Sequence, residues 1–138
     1  MIVWSYPRGS AIEQKGGRDS IYAVDYAARL ALELGADIVK LNVPKKGDKD
    51  SEQPAPYNKL EWDYASGIAR VVETAGRSLV LFSGGSKVSD EDLLEKAELA
   101  MAHGATGLIF GRNMWQRPLD DALQMTERLK EIMKRFPA

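Results

Sequence analysis

Lys40 closes the run Ala36-Asp37-Ile38-Val39-Lys40, and an amine at the end of an apolar run is a candidate nucleophile. Two further stretches have the composition of an anion site. Ser83-Gly84-Gly85 follows Ser78-Leu79-Val80-Leu81-Phe82, and Gly111-Arg112-Asn113 follows Gly107-Leu108-Ile109-Phe110. Bare glycines let an oxygen atom reach main-chain N–H groups, and a guanidinium offers a planar fork that matches phosphate. Trp4 and Tyr6, in Val3-Trp4-Ser5-Tyr6-Pro7-Arg8-Gly9, add an aromatic ring and a phenol.

Each of these has a plain structural alternative. Trp4 could be a core aromatic, Tyr6 a rim residue with a solvated hydroxyl, and Lys40 a lysine that reaches back to water. Gly84-Gly85 and Gly111 could be turns. Taken together they point elsewhere. A lysine held in an apolar mouth near an arginine is disfavoured as ammonium by desolvation and by like charge, which frees the amine to attack. An amine facing a phosphate site suggests an imine with a phosphorylated ketone.

The elements that must position these groups alternate regularly. Residues 1–6 read as a strand stopped by Pro7 and Gly9, and residues 19–34 as a helix capped by Asp19 or Ser20, with Ile21, Val24, Ala27, Ala28, Ala31 and Leu34 at helical spacing. Residues 36–42 form a second strand. Residues 44–59 have no apolar period and read as a long loop, in which Lys45 to Asp50 is solvated. A helix follows over about 60–74, then a strand over 78–82. Ser89 opens the next helix, with Leu93, Leu94, Ala97, Ala100 and Met101 inside and His103 as a polar group near its end. After the strand 107–110, Pro118 precedes a last helix that buries Ala122, Leu123, Met125, Leu129, Ile132 and Met133.

The fold class is therefore α/β: one domain over 1–138, four βα units, parallel strands with right-handed crossovers. Function in such sheets collects at the carboxyl ends of the strands. Those ends carry Trp4 and Tyr6, Lys40 and Asn42, Ser83-Gly84-Gly85, and Gly111-Arg112-Asn113. In eight-stranded βα barrels phosphate often binds at loops after the last two strands, helped by a helix N-terminus.

Composition narrows the function. The 138 residues carry a formal net charge of −1, so no bulk attraction to nucleic acid or an anionic membrane is expected. There is no cysteine and a single histidine, His103, which leaves thiolate chemistry, disulfides and histidine-based metal or triad sites without material. The absence of cysteine fits a reducing cytoplasm. No apolar run approaches a membrane span, and residues 1–15 lack a signal-peptide pattern.

Val-Trp-Ser-Tyr-Pro-Arg-Gly (3–9), Ala-Asp-Ile-Val-Lys (36–40), Phe-Ser-Gly-Gly (82–85) and Gly-Arg-Asn-Met-Trp-Gln-Arg-Pro (111–118) resemble the archaeal-type, DhnA-like class I fructose-bisphosphate aldolases. The resemblance covers essentially the whole chain and implies the second half of a TIM barrel, strands five to eight. It implies Lys40 as the Schiff-base lysine, Tyr6 as the proton-transfer residue and Trp4 as a site-lining residue. It places phosphate on the backbone of Ser83, Gly84, Gly85 and Gly111, with Arg112 beside it. The implied reaction is reversible cleavage of fructose 1,6-bisphosphate, or a related sugar phosphate, through dihydroxyacetone phosphate, with no metal and no cofactor. A family barrel is typically about 250 residues, and its first half carries a site aspartate and distal-phosphate contacts. The expected assembly is a homodimer that completes a barrel, or pairing with a separate N-terminal half. Two rivals stay open: a phosphate-binding half-barrel without turnover, and an unrelated flavodoxin-like domain.

Overall fold

The computed structural model describes residues 1–137. Strands β1 (Ile2–Trp4), β2 (Ile38–Asn42), β3 (Leu79–Ser83) and β4 (Gly107–Ile109) form one parallel sheet in the order β1-β2-β3-β4. Sequential order is informative. Crossovers that all share one hand and never reverse direction lie on a single face, as in a barrel wall, whereas a doubly wound sheet reverses its order.

Burial confirms the one-sided wall. Val39, Leu41, Val80 and Phe82 point to the covered face and are fully buried, each contributing roughly 1.5–3 kcal/mol of hydrophobic stabilisation. They meet Ile21, Val24, Ala28 and Ala31 of α2 (Ile21–Glu33), Ile68 and Val71 of α3 (Tyr64–Thr74), Leu93 and Ala97 of α4 (Asp90–Ala102), and Met125 of α6 (Leu119–Arg135) in one core. The opposite face is bare: Ile2 is 58%, Trp4 65% and Leu79 47% exposed. The first strand is therefore covered on one side only.

The helix starts follow from local chemistry. Ser20, not Asp19, caps α2, its hydroxyl accepting from the Ala23 N–H at 3.2 Å. Asp63 and Ser66 form a reciprocal capping box that starts α3 at Tyr64 rather than near residue 60. The residues before it are held by Trp62, whose ring packs on Gly67 so closely that a β-carbon there would lie 2.4 Å away. Ser89 caps α4 as expected, and His103 occupies its C-cap position.

Three expectations need correction. Leu34, Leu123 and Met133 sit at helical spacing but are exposed. The 44–59 segment is not a featureless loop: it makes two 3-10 turns, and buried Gln53 accepts from the Tyr22 N–H at 3.0 Å. Two single-turn helices, α1 (Ser10–Glu13) and α5 (Arg112–Trp115), lie where no periodicity could signal them. Among the described residues, no helix is long and apolar enough to cross a membrane.

Candidate active site

Strand alternation and parallel register decide which side chains share the open face. Val39 and Leu41 turn to the helices, so Ile38, Lys40 and Asn42 turn the other way. Register then sets Trp4, Lys40, Leu81 and Gly107 side by side, and above them Asn42, Ser83 and Ile109. All the strand-end residues singled out above, with the loops that follow, therefore lie on one rim.

A cavity of about 660 Å³ opens at that rim, lined among others by Tyr6, Lys40, Asn42, Ser83, Gly84, Gly85, Gly111 and Arg112. Trp4 is the exception. It does not line the cavity, and its ring instead lies 3.7 Å under the Lys40 Nζ, a cation–π contact on the bare face. The Tyr6 ring centroid is 5.8 Å from the same nitrogen. Lys40 is half-buried, so the desolvation expected of it is incomplete while that face lies open.

The charge of the cavity is lopsided. Arg8, Arg18, Lys40, Lys45, Lys96 and Arg112 line it against a single carboxylate, Asp19. In a chain of net charge −1, that concentration of cations gives the cavity a positive potential, which favours anions over cations.

The two adjacent glycines have separate physical reasons. Gly85 has φ +63° and open space where a side chain would go, so its conformation alone favours glycine. Gly84 has ordinary backbone, but a β-carbon there would meet Phe110 at 2.7 Å and the Asn113 amide at 3.0 Å. The space beside Gly84 is thus filled by protein as well as facing the cavity. At Gly111 a β-carbon would find only the Trp115 ring, at 3.5 Å.

Asn113 is a residue that sequence reasoning left unassigned, and it organises the loop. Fully buried, it donates to the carbonyls of Gly84 (3.2 Å) and Ser86 (3.1 Å) and accepts from the Val88 N–H (2.9 Å). Those three bonds hold the 84–88 segment against α5. Arg117 anchors α5 in turn, donating to the Asn113 carbonyl and pairing with Asp90 at 2.6 Å. The first turn of α4 carries Asp90, Glu91 and Asp92, so its positive end is met by its own carboxylates.

Asp19 is the other unforeseen residue. Its Oδ1 accepts from the Asn42 Nδ2 at 2.7 Å, and its Oδ2 pairs with Lys45 at 3.3 Å. Asn42 Oδ1 accepts from the Ser83 hydroxyl at 2.7 Å. The Asp-Ser pair before α2 reads as a cap, which is why the carboxylate's other use was invisible.

The profile of the DeoC/LacD family aldolases matches residues 1–117. The chain is 42% identical over 117 residues to the class 1 fructose-bisphosphate aldolase of Halobacterium salinarum, covering 85% of this chain and 36% of that protein. It is 37% identical over 134 residues to the class 1 fructose-bisphosphate aldolase of Thermoproteus tenax, covering 96% and 42%. A solved archaeal fructose-1,6-bisphosphate aldolase, its catalytic lysine bound to the carbinolamine intermediate of its substrate, superposes with a TM-score of 0.72 at 34% identity, over 96% of this chain and 44% of that one. The chain thus spans about two fifths of the length of these relatives, in the four-stranded wall described above. On sequence and fold alike, the chain belongs to the DeoC/LacD aldolase family.

Proposed function

We propose that the chain carries the imine-forming half of a class I aldolase acting on fructose 1,6-bisphosphate or a related sugar phosphate. One observation supports this above the others: Lys40 and the 83–85 and 111–112 loops line a single cation-rich cavity. The Lys40 amine adds to the ketone carbon, and loss of water from the carbinolamine gives the imine. The protonated imine draws in the electron pair of the bond between its α-carbon and the hydroxyl-bearing β-carbon, which breaks as that hydroxyl loses its proton, leaving an enamine on Lys40 and a free aldehyde. Tyr6, at the same cavity, takes the role of moving the proton off the hydroxyl that becomes that aldehyde. The phosphate rests on the loop N–H groups near Gly84, Gly85 and Gly111, with Arg112 beside them. No step calls for a metal or cofactor, and the setting is cytoplasmic sugar-phosphate metabolism.

The bare inner face asks for cover by four further βα units, supplied by an N-terminal half or by a second copy of the chain. That same bareness supports a second reading, binding without turnover.

Borohydride reduction in the presence of dihydroxyacetone phosphate tests the first reading. The expected product is a single adduct on the peptide containing Lys40. Lys40→Ala and Lys40→Arg should both lose it, since a guanidinium forms no imine. Labelling of Lys45 or Lys87 instead would refute the assignment. Saturable phosphate binding with no adduct would favour the binding module.

A further inference from the structure

The hydrogen-bond chain from Asp19 to Ser83 has only one possible direction, and that direction limits what Ser83 can recognise. An ionised carboxylate accepts hydrogen bonds and cannot donate them. Asp19 takes the acceptor's part, since its Oδ2 forms an ion pair with Lys45 at 3.3 Å. The Asn42 atom facing Asp19 Oδ1 at 2.7 Å must therefore be the NH₂ group. The other end of that amide is then its oxygen, an acceptor, so the Ser83 hydroxyl 2.7 Å away must spend its proton on it. Ser83 lines the cavity with no proton left to give, and presents only lone pairs.

A phosphate monoester dianion also presents only lone pairs. Ser83 Oγ set against a phosphate oxygen would be an acceptor facing an acceptor. We infer that the Ser83 hydroxyl accepts a hydrogen bond from a hydroxyl of the substrate, and that phosphate is left to the loop N–H groups and Arg112. Asp19 and Asn42 are the positioning residues that fix its polarity. The ligand class that fits is a phosphorylated hydroxyketone, recognised at its free hydroxyl. This rests on the ketone-phosphate reading above and adds a specificity determinant to it.

Three ligands separate the parts. Dihydroxyacetone phosphate has the free hydroxyl, hydroxyacetone phosphate keeps the ketone and phosphate without it, and inorganic phosphate has neither. Calorimetry should show the parent chain preferring dihydroxyacetone phosphate over hydroxyacetone phosphate. Ser83→Ala should weaken dihydroxyacetone phosphate on the order of three- to tenfold, the worth of one hydrogen bond, and leave the other two within about twofold. Asp19→Asn removes a negative charge and so tightens all three anions. It also lets the amide of residue 42 turn round and return the proton to Ser83, so the ratio between the two ketones should fall toward one. That ratio is insensitive to the general charge effect and to a merely structural role.

Equal weakening of all three ligands in Ser83→Ala, or the largest loss with inorganic phosphate, would overturn the inference. An unchanged ketone ratio in Asp19→Asn would overturn the positioning role. Failure of the parent to bind any of the three would overturn the anion site, and this inference with it. Absence of a Lys40 adduct with either ketone, alongside the expected ratios, would sink the imine reading and still support Ser83 as the hydroxyl acceptor.

Discussion

Tyr6 and Tyr57 show how differently two phenols of one chain are used. Tyr6 sits at the cavity, its ring 5.8 Å from the Lys40 nitrogen. If it transfers the proton, Tyr6→Phe should leave borohydride trapping intact and slow cleavage by roughly 10²–10⁴, the span for losing a general acid-base group. Equal loss of both would assign Tyr6 a structural role. Tyr57 is not part of that cavity's lining and donates to buried Asp25 at 2.7 Å, while Arg70 pairs with the same oxygen at 2.9 Å. Burial, then the bond to Asp25, pushes the Tyr57 hydroxyl up to about 12 from an ordinary 10. The folded chain thus holds that proton more tightly than the unfolded chain, and its contribution to stability is complete below pH 10. It should fade between pH 10 and 12, with denaturant unfolding of Tyr57→Phe showing a shallower alkaline decline than the parent. Parallel declines would mean that the hydroxyl titrates alike in both states.

The 83–88 loop is the element on which the proposed anion site depends. Gly85→Asp places a carboxylate at a φ of +63° and sets like charge before the N–H groups. Sulfate should raise the melting temperature of the parent and fail to raise that of the variant; equal protection would move the site elsewhere. Asn113→Ala should cost more than a surface change, since it strips three partners from a part-buried segment and leaves polar groups unpaired, at up to roughly 1–3 kcal/mol each where water does not reach them. Thermal unfolding within about 0.5 kcal/mol of the parent would show that the loop holds itself. This element also marks how far sequence can be read. The βα alternation, the strand-end glycines and Lys40 are local patterns, and period and composition reveal them. Asn113 and Asp19 act on partners 25–29 and 23 residues away respectively, so nothing beside them in the sequence states their use. The four-residue α5 is too short for a helical period to be seen. Leu123 and Met133 carry the right spacing, but the last helix buries a narrower stripe than its apolar residues cover.

At the scale of the molecule, four strands in sequential order leave β1 and β4 as open edges and Ile2, Trp4 and Leu79 exposed on one face. Open edges and an apolar face favour association. Two copies can close eight strands by a two-fold axis, β1 of each beside β4 of the other. Sedimentation of the chain alone should then give a species of twice the chain mass, or a poorly soluble monomer; a well-behaved monomer at high concentration with sharp cooperative unfolding would show that the four-stranded wall is complete by itself. Closure would also finish the desolvation of Lys40, which ties assembly to reactivity. A crystal of the chain treated with dihydroxyacetone phosphate and borohydride brings every scale into one observation. Density should run unbroken from the Lys40 Nζ to the ketone carbon, with the phosphate on the N–H groups near Gly84 and Gly85 and beside Arg112. An adduct on any other lysine, or a phosphate seated away from that loop, would show that the amine and the anion site do not serve one substrate.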